Sequence, residues 1–362
     1  MSNPMEGVGS TIRHRTRRIK GCRCHGGKLC GFARADKSWA CVASLSDSLQ
    51  KFSSLTVSGQ RASYNLFDSD IVLLILLAYK LKWPCRMPYS QPSLLRDALR
   101  FMEKSDPCVV AGGTDVYPAM KSGRQPVTYL DVTRIQGFSE ISRTHAGTRF
   151  GAAVTWSDVV KADLPPAFCA LKQAAREVGS LQIQNAGTIA GNICNASPAA
   201  DGVPALLALN ADVEIASASR GARAISLGSF IKGVRKTALE RDELVTAVIV
   251  PKTPAGMTSG FEKLGSRRYL VISTAMTAAN VLLDNRGRIE DVRIAVGSCS
   301  AVAQRLTALE ANLVGEDPSR IAITREHLGT LAPIDDVRGT ASYRLHAVER
   351  QIRRAIARAI EA

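Results

Sequence analysis

The sequence predicts an α+β fold, and three observations carry that reading. From Met87 onward, short apolar runs of strand character alternate with amphipathic helical stretches. Two glycine-bearing stretches, ValValAlaGlyGlyThrAspVal at Val109 to Val116 and GlyThrIleAlaGlyAsnIleCysAsnAlaSerProAlaAlaAsp at Gly187 to Asp201, punctuate those runs. Toward the end a strand hairpin is followed by a long amphipathic helix. At 362 residues the chain is long enough for two or three domains, each with its own core.

The first quarter is of a different kind. Residues 1–86 hold 14 Lys/Arg against 5 Asp/Glu, so they carry +9 of the chain's +15. They also hold five of its nine cysteines, Cys22, Cys24, Cys30, Cys41 and Cys85. The CysXCysHisXXXXCys spacing fits no zinc or iron–sulfur pattern, and the arginine cluster from Arg13 to Lys20 lacks the apolar segment a secretory signal needs directly after it. Apolar periodicity is poor before Ile71, so residues 1–86 are expected to form a poorly ordered leader, or to precede a true start at Met87.

Elements then follow in order. Ser93 is placed to cap a helix whose apolar face is Leu94, Leu95, Ala98, Leu99 and Met102. CysValValAla reads as a buried strand running into a glycine turn. Val127 to Val132 and Thr148 to Val154 read as two more strands, and Leu164 to Val178 as a helix. After the second glycine stretch, LeuLeuAlaLeuAsnAlaAspValGluIle reads as a helix end leading into a strand. Ser273 to Leu283 alternates, turns at AspAsnArgGlyArg, and returns from Ile289. Ala301 to Leu313 and Ala341 to Ile360 read as helices, the last with Leu345, Val348, Ile352, Ala355, Ile356 and Ala359 on one face and Arg350, Arg353, Arg354 and Arg358 away from it.

The glycine stretches carry the chemistry. Backbone N–H groups beside Thr, Asn and Asp make a loop able to close around a pyrophosphate. Gly187 and Gly191 permit close approach or backbone geometry that a Cβ would block, while Thr188 and Asn192 offer hydrogen bonds to a phosphate or a flavin edge, and Asp201 offers an acceptor for a sugar hydroxyl. Glycine and asparagine also mark ordinary turns, so the stretches alone leave both readings open. Neither is a GlyXGlyXXGly fingerprint or a P-loop.

Other function classes lose ground. The longest apolar run, Ile71 to Tyr79, is too short to span a bilayer. A nucleic-acid binder is disfavoured because the basic excess sits mainly in the leader, with no aromatic stacking motif beside it. After Met87 only His145, His327 and His346 remain, none beside a nucleophile motif or at metal-ligand spacing, so no catalytic residue and no metal ligand is assigned. Cys108, Cys169, Cys194 and Cys299 read as buried thiols of a reducing, cytoplasmic compartment, with Cys194 a candidate for oxidation.

Four motifs in order carry a resemblance: AlaGlyGlyThrAspVal, the Gly187 to Asp201 stretch, GluLeuValThrAlaValIleValPro at Glu243 to Pro251, and PheGluLysLeuGlySerArgArg at Phe261 to Arg268. AspAspValArgGlyThrAlaSerTyrArg at Asp335 to Arg344 adds to them. From about Met87 to the end, the chain resembles the FAD-binding medium subunit of molybdenum hydroxylases, the family of xanthine, carbon monoxide and nicotinate dehydrogenases.

That resemblance implies a two-subdomain FAD-binding domain of the para-cresol methylhydroxylase type at 87–255, divided at about 87–145 and 146–255. A small C-terminal α+β domain of sheet and helices would occupy 256–362. It implies that Val110, Ala111, Gly112, Gly113, Thr114, Asp115 and Val116, with Thr188, Ile189, Ala190, Gly191 and Asn192, wrap the FAD pyrophosphate, and that Gly187 belongs to the cofactor-binding set. Ser197 and Asp201 would lie along the sugar portion, Val178, Ile183 and Leu244 would give apolar contact, and Lys263 would sit near the flavin or its phosphate edge. The partners implied are a large subunit holding a molybdenum cofactor and a small subunit with 2Fe–2S clusters, in a heterotrimer or its dimer. The chain's part would be electron transfer from the iron–sulfur subunit to an external acceptor. The alternative is a free-standing flavin oxidase or dehydrogenase, which needs its own substrate-binding and proton-accepting groups.

One departure stands out. Relatives usually carry two adjacent glycines where this chain has Ala190 before Gly191. If the position requires positive φ, Ala costs about 1 kcal/mol or more; if it is helical, nothing is lost.

Overall fold

A computed structural model describes residues 89–120 and 128–361. The expectations for residues 1–86 lie outside the described residues.

Among the described residues, three larger sheets and one two-stranded hairpin organise the fold. β1 (Tyr89–Ser90) leads into α1 (Leu95–Ser105), β2 (Cys108–Val110), α2 (Val116–Met120) and β3 (Tyr129–Asp131). These strands form a small parallel sheet in the order β1-β3-β2. α1 buries Ala98, Leu99 and Met102 as its periodicity requires, but its N-cap is Leu94 in extended conformation with no side-chain cap. Ser93 does not cap; its carbonyl accepts from the Gln136 N–H instead.

β4 (Ile141–Thr144) and β5 (Gly147–Gly151) open the second sheet. β4 precedes the expected boundary at 145/146, yet it pairs with β5. α3 (Trp156–Lys161) follows under a capping box in which Thr155 and Asp158 satisfy each other's backbone N–H groups. The helix expected from Leu164 breaks at Pro165 and Pro166 into a 3₁₀ turn, and α4 (Cys169–Glu177) begins only after it. Then come α5 (Leu181–Ala186), α6 (Ile189–Asn195) and α7 (Gly202–Ala208). β6 (Asp212–Ser217), β7 (Gly221–Ser226), α8 (Leu227–Phe230), the β8 (Ile231–Gly233) and β9 (Lys236–Thr237) hairpin, and β10 (Glu243–Pro251) complete the unit. The second sheet is antiparallel in the order β4-β5-β10-β6-β7. β10 is buried along most of its length, as a central strand must be.

The third sheet, β11 (Thr258–Leu264), β12 (Ala275–Leu283), β13 (Ile289–Gly297) and β14 (Gln304–Arg305), is an antiparallel meander. The helix expected from Ala301 starts late, as α9 (Thr307–Leu313), because Gln304 and Arg305 pair with β13. α10 (Ala341–Ile360) packs across β11 and β12 and buries Val348, Ile352, Ala355, Ile356 and Ala359, while Leu345 is partly buried. Arg344 on the same helix is also fully buried: its guanidinium donates to the carbonyls of Thr274 and Ser298 and to Asp336, tying the last helix to the third sheet.

Candidate cofactor cleft

The two glycine stretches meet. β2 ends at Val110, and the chain turns through Gly113 at φ +69° into α2. Only glycine takes that conformation without strain. Gly112 packs against the backbone of Ala186, at the end of α5, so the first stretch is seated directly beside the start of the second.

The second stretch is a helix rather than a loop. Thr188 is the N-cap of α6, its Oγ1 accepting from the Gly191 N–H at 3.0 Å. The Ile189 N–H donates to the Val154 carbonyl, and the Trp156 N–H to the Gly187 carbonyl, so α5 and α6 are anchored to the start of α3. Gly187 has φ −65°, and Gly191 sits in the helix with only the Thr188 hydroxyl near where a Cβ would project. Ala190 is helical and buried, so the departure from a paired glycine imposes no backbone strain.

Between these stretches lies a cleft of about 430 Å³. Of the residues expected at the site, Ala111, Gly112, Gly113, Thr114, Asp115, Val116, Val178, Ile183, Gly187, Thr188, Ala190, Gly191, Asn192 and Leu244 line it. Val110 and Ile189 are buried behind the lining. Ser197, Asp201 and Lys263 lie outside it. Among the described residues no Lys or Arg lines the cleft, so what they offer an anionic group there is backbone N–H groups, hydroxyls and amides.

Asp201 and Lys263 are engaged with each other. Lys263 Nζ stands 2.7 Å from Asp201 Oδ2 and donates to the Glu177 carbonyl at 2.9 Å, while Ser273 Oγ donates to the other carboxylate oxygen. Both side chains are almost fully buried, at 6% and 10% exposure. Burial pushes the Asp201 carboxyl above the usual carboxylate range, against the pull of Lys263. The pair joins α7 to β11 and β12, across the seam between the second and third sheets.

Sequence reasoning missed several lining residues. Trp156, Val132, Ala152 and Val245 give apolar surface, and Glu243 also lines the cleft, its carboxylate paired with Arg223, which holds it below the usual range. Cys194 also lines the cleft, and desolvation pushes its thiol up to about 12, which lowers its share of reactive thiolate. Asn195 lies inside the second motif, where its residue type was a signal in plain view; its Nδ2 donates to Asp115 Oδ1 at 2.7 Å.

An apolar cavity of this size with a few convergent polar groups suits a cofactor. Among the described residues, no cluster of His, Cys, Asp and Glu could hold a metal ion, and no helix is long and apolar enough to cross a membrane.

Comparison with known proteins agrees with this architecture. Residues 82–253 match the family described as FAD binding domain in molybdopterin dehydrogenase, and residues 261–359 match the CO dehydrogenase flavoprotein C-terminal domain. The chain is 32% identical over 277 residues to the nicotine 6-hydroxylase medium subunit of Paenarthrobacter nicotinovorans, covering 75% of this chain and 96% of that one. It is 31% identical to the glyceraldehyde dehydrogenase medium chain of Sulfolobus acidocaldarius, covering 74% and 96%. Among solved structures, reconstituted CO dehydrogenase from Oligotropha carboxidovorans superposes with a TM-score of 0.69 at 26% identity, over 75% of this chain and 96% of that one. Quinoline 2-oxidoreductase from Pseudomonas putida 86 does so at 0.66 and 26%, over 76% and 96%. The motifs, the cleft between them and these likenesses together place the chain in the family of FAD-binding medium subunits of molybdenum hydroxylases.

Proposed function

We propose that the cleft binds FAD and that the chain carries electrons between an iron–sulfur subunit and an external acceptor. The observation that bears most weight is the meeting of both glycine stretches at one cleft. Two features of that cleft fit the cofactor. Asn192 Oδ1 is a buried oxygen with no hydrogen-bond partner, poised to accept from a ligand hydroxyl or N–H. The backbone at Gly112 and Gly113 carries no side chain, which lets a pyrophosphate lie close to it, while the Gly191 N–H is held by the Thr188 hydroxyl.

In this reading Val110 to Val116 and Gly187 to Asn192 hold the pyrophosphate, while Val178, Ile183 and Leu244 pack against apolar parts of the cofactor. Ser197, Asp201 and Lys263 belong to the sugar and flavin end, where the buried ion pair supplies fixed charge behind the cleft. Bound FAD supplies the electron-carrying chemistry that no side chain here provides. The chain's own work is to hold and orient the cofactor and keep its phosphates out of bulk water.

The partners are a molybdenum-bearing large subunit and a 2Fe–2S small subunit, in a heterotrimer or its dimer, in the cytoplasm. The support is that the relatives named above are medium subunits or chains, a term that belongs to multi-subunit enzymes. The two flavin subdomains meet just before β4, ahead of the expected 145/146 division because β4 pairs with β5, and the C-terminal domain begins near residue 256.

The test is the visible spectrum of two purified proteins, the full chain and one starting at Met87, after FAD is added and the excess removed by gel filtration. A retained flavin spectrum in both supports the reading and makes residues 1–86 dispensable for it. Two folded proteins without flavin, even when co-expressed with the partner subunits, would overturn it.

A further inference from the structure

One side-chain chain in the cleft wall begins well outside it. Arg235 lies in the turn between β8 and β9 and holds φ +58°, a left-handed backbone that residues with a Cβ avoid unless their surroundings impose it. Its N–H donates to the Ala196 carbonyl at 2.9 Å, and Ala196 itself is left-handed at φ +46° where it closes α6. The Arg235 guanidinium donates to the Asn195 carbonyl at 3.3 Å and to Asn195 Oδ1. Asn195 Nδ2 then donates to Asp115 Oδ1 at 2.7 Å. Asp115 and Asn195 line the cleft from its two walls; Arg235 does not.

The chemistry gives this series a direction. A guanidinium only donates, so it must face the amide oxygen of Asn195, which leaves the amide NH₂ turned toward a carboxylate that only accepts. A neutral amide is thus held in the one orientation that joins a cation to an anion without placing either against the other. Widening the cleft at this rim separates Asp115 from Asn195 and breaks the link.

We propose that Arg235 and Asn195 form a positioning relay that latches the Ala111 to Val116 stretch onto α6 and sets how slowly the cofactor leaves. The proposal rests on the reading that the cleft holds FAD. Arg235 acts through Asn195 rather than by touching the ligand, and the strained turn is what keeps its guanidinium aimed at the end of α6.

The experiment uses the full-length protein and two readouts: the rate at which flavin fluorescence rises on dilution of the FAD-loaded protein, and hydrogen exchange at residues 111–116 in FAD-free protein. Asn195→Asp keeps an acceptor for Arg235 but sets a carboxylate against Asp115. Release is expected to quicken roughly tenfold or more, the scale of one hydrogen bond to a charged group, with faster exchange in the loop. Adding Asp115→Asn to that variant restores a donor–acceptor pair of reversed polarity, and both readouts are expected to return toward wild type. Arg235→Ala, which introduces no repulsion, is expected to move both in the same direction by less, with Arg235→Lys recovering part of the effect. Wild-type release and exchange in Asn195→Asp, or failure of the double variant to recover, overturns the relay while leaving the FAD reading standing. Wild-type protein that holds no FAD, alone or with its partners, overturns both.

Discussion

Gly112 lies so close to Ala186 that a Cβ on it would stand 1.7 Å from the Ala186 carbonyl oxygen. The obstacle is backbone at the end of α5, which no rotamer change can move aside. Gly112→Ala therefore has to push the two glycine stretches apart. Overpacking of this kind costs about 1–3 kcal/mol and sometimes more. The expected outcome is a lower thermal midpoint together with loss of retained flavin after gel filtration. A variant that keeps both would mean that the contact is not what seats the first stretch.

Ala190→Gly tests the opposite expectation, that a paired glycine in the second stretch is needed for binding. Because Ala190 is inside α6 and buried, glycine there gains no conformation the ligand requires and loosens the helix. The substitution is expected to destabilise by about 0.5–1 kcal/mol in a denaturant titration and to leave FAD affinity no better than in wild type. A clear gain in affinity would contradict the helical account of this position.

These two positions show what a sequence can disclose about such a site. Both stretches were legible because glycine, threonine and asparagine in close order have few structural uses. Their local conformations were not, since GlyThrIleAlaGlyAsn suits a loop as well as a Thr-capped helix, and only the packing of α6 against the start of α3 selects the helix. α10 was legible to the residue because twenty positions keep one period. The helix expected from Ala301 was not, because pairing of Gln304 and Arg305 with β13 depends on residues distant in the chain. Arg235 gave no signal at all: its role comes from a turn that brings it to the end of α6, a contact across 40 residues.

Labelling of cysteines follows from burial. Cys194 and Cys299 have thiols pushed up to about 12 by desolvation, so neither carries appreciable thiolate near neutral pH. In native protein treated briefly with N-ethylmaleimide at pH 7.5, mass spectrometry is expected to find both unmodified, with labelling only after unfolding. Rapid modification of Cys194 in the native state would show that its place on the cleft lining outweighs the desolvation of its thiol.

The buried pair of Asp201 and Lys263 calls for a double-mutant cycle. Lys263→Met leaves a carboxylate buried without its cation, a defect that costs about 3–5 kcal/mol in comparable pairs. Removing the charge as well, with Asp201→Asn, is expected to recover a large part of that loss, measured by urea denaturation of all four proteins. Simple additivity of the two single substitutions would mean that the pair contributes no coupling across the seam.

Asp336 gives a pH dependence whose sign can be worked out in advance. The Arg338 N–H donates to its carboxylate, the guanidinium groups of Arg338 and Arg344 pair with it, and together they hold it down to about 2. An aspartate in the unfolded chain titrates near 3.9, so between about pH 4 and pH 2 the unfolded state binds more protons than the folded one. The stabilisation from Asp336 is thus fully present above about pH 5 and fades as acid approaches the folded value. Asp336→Asn cannot titrate and also leaves Arg344, fully buried on α10, without its anionic partner. The urea midpoint of wild type is expected to exceed that of Asp336→Asn by a constant margin from pH 7 to pH 5, and the margin should shrink steadily between pH 4 and pH 3. A margin that stays constant into acid would assign the loss to the shape of the side chain rather than to its charge.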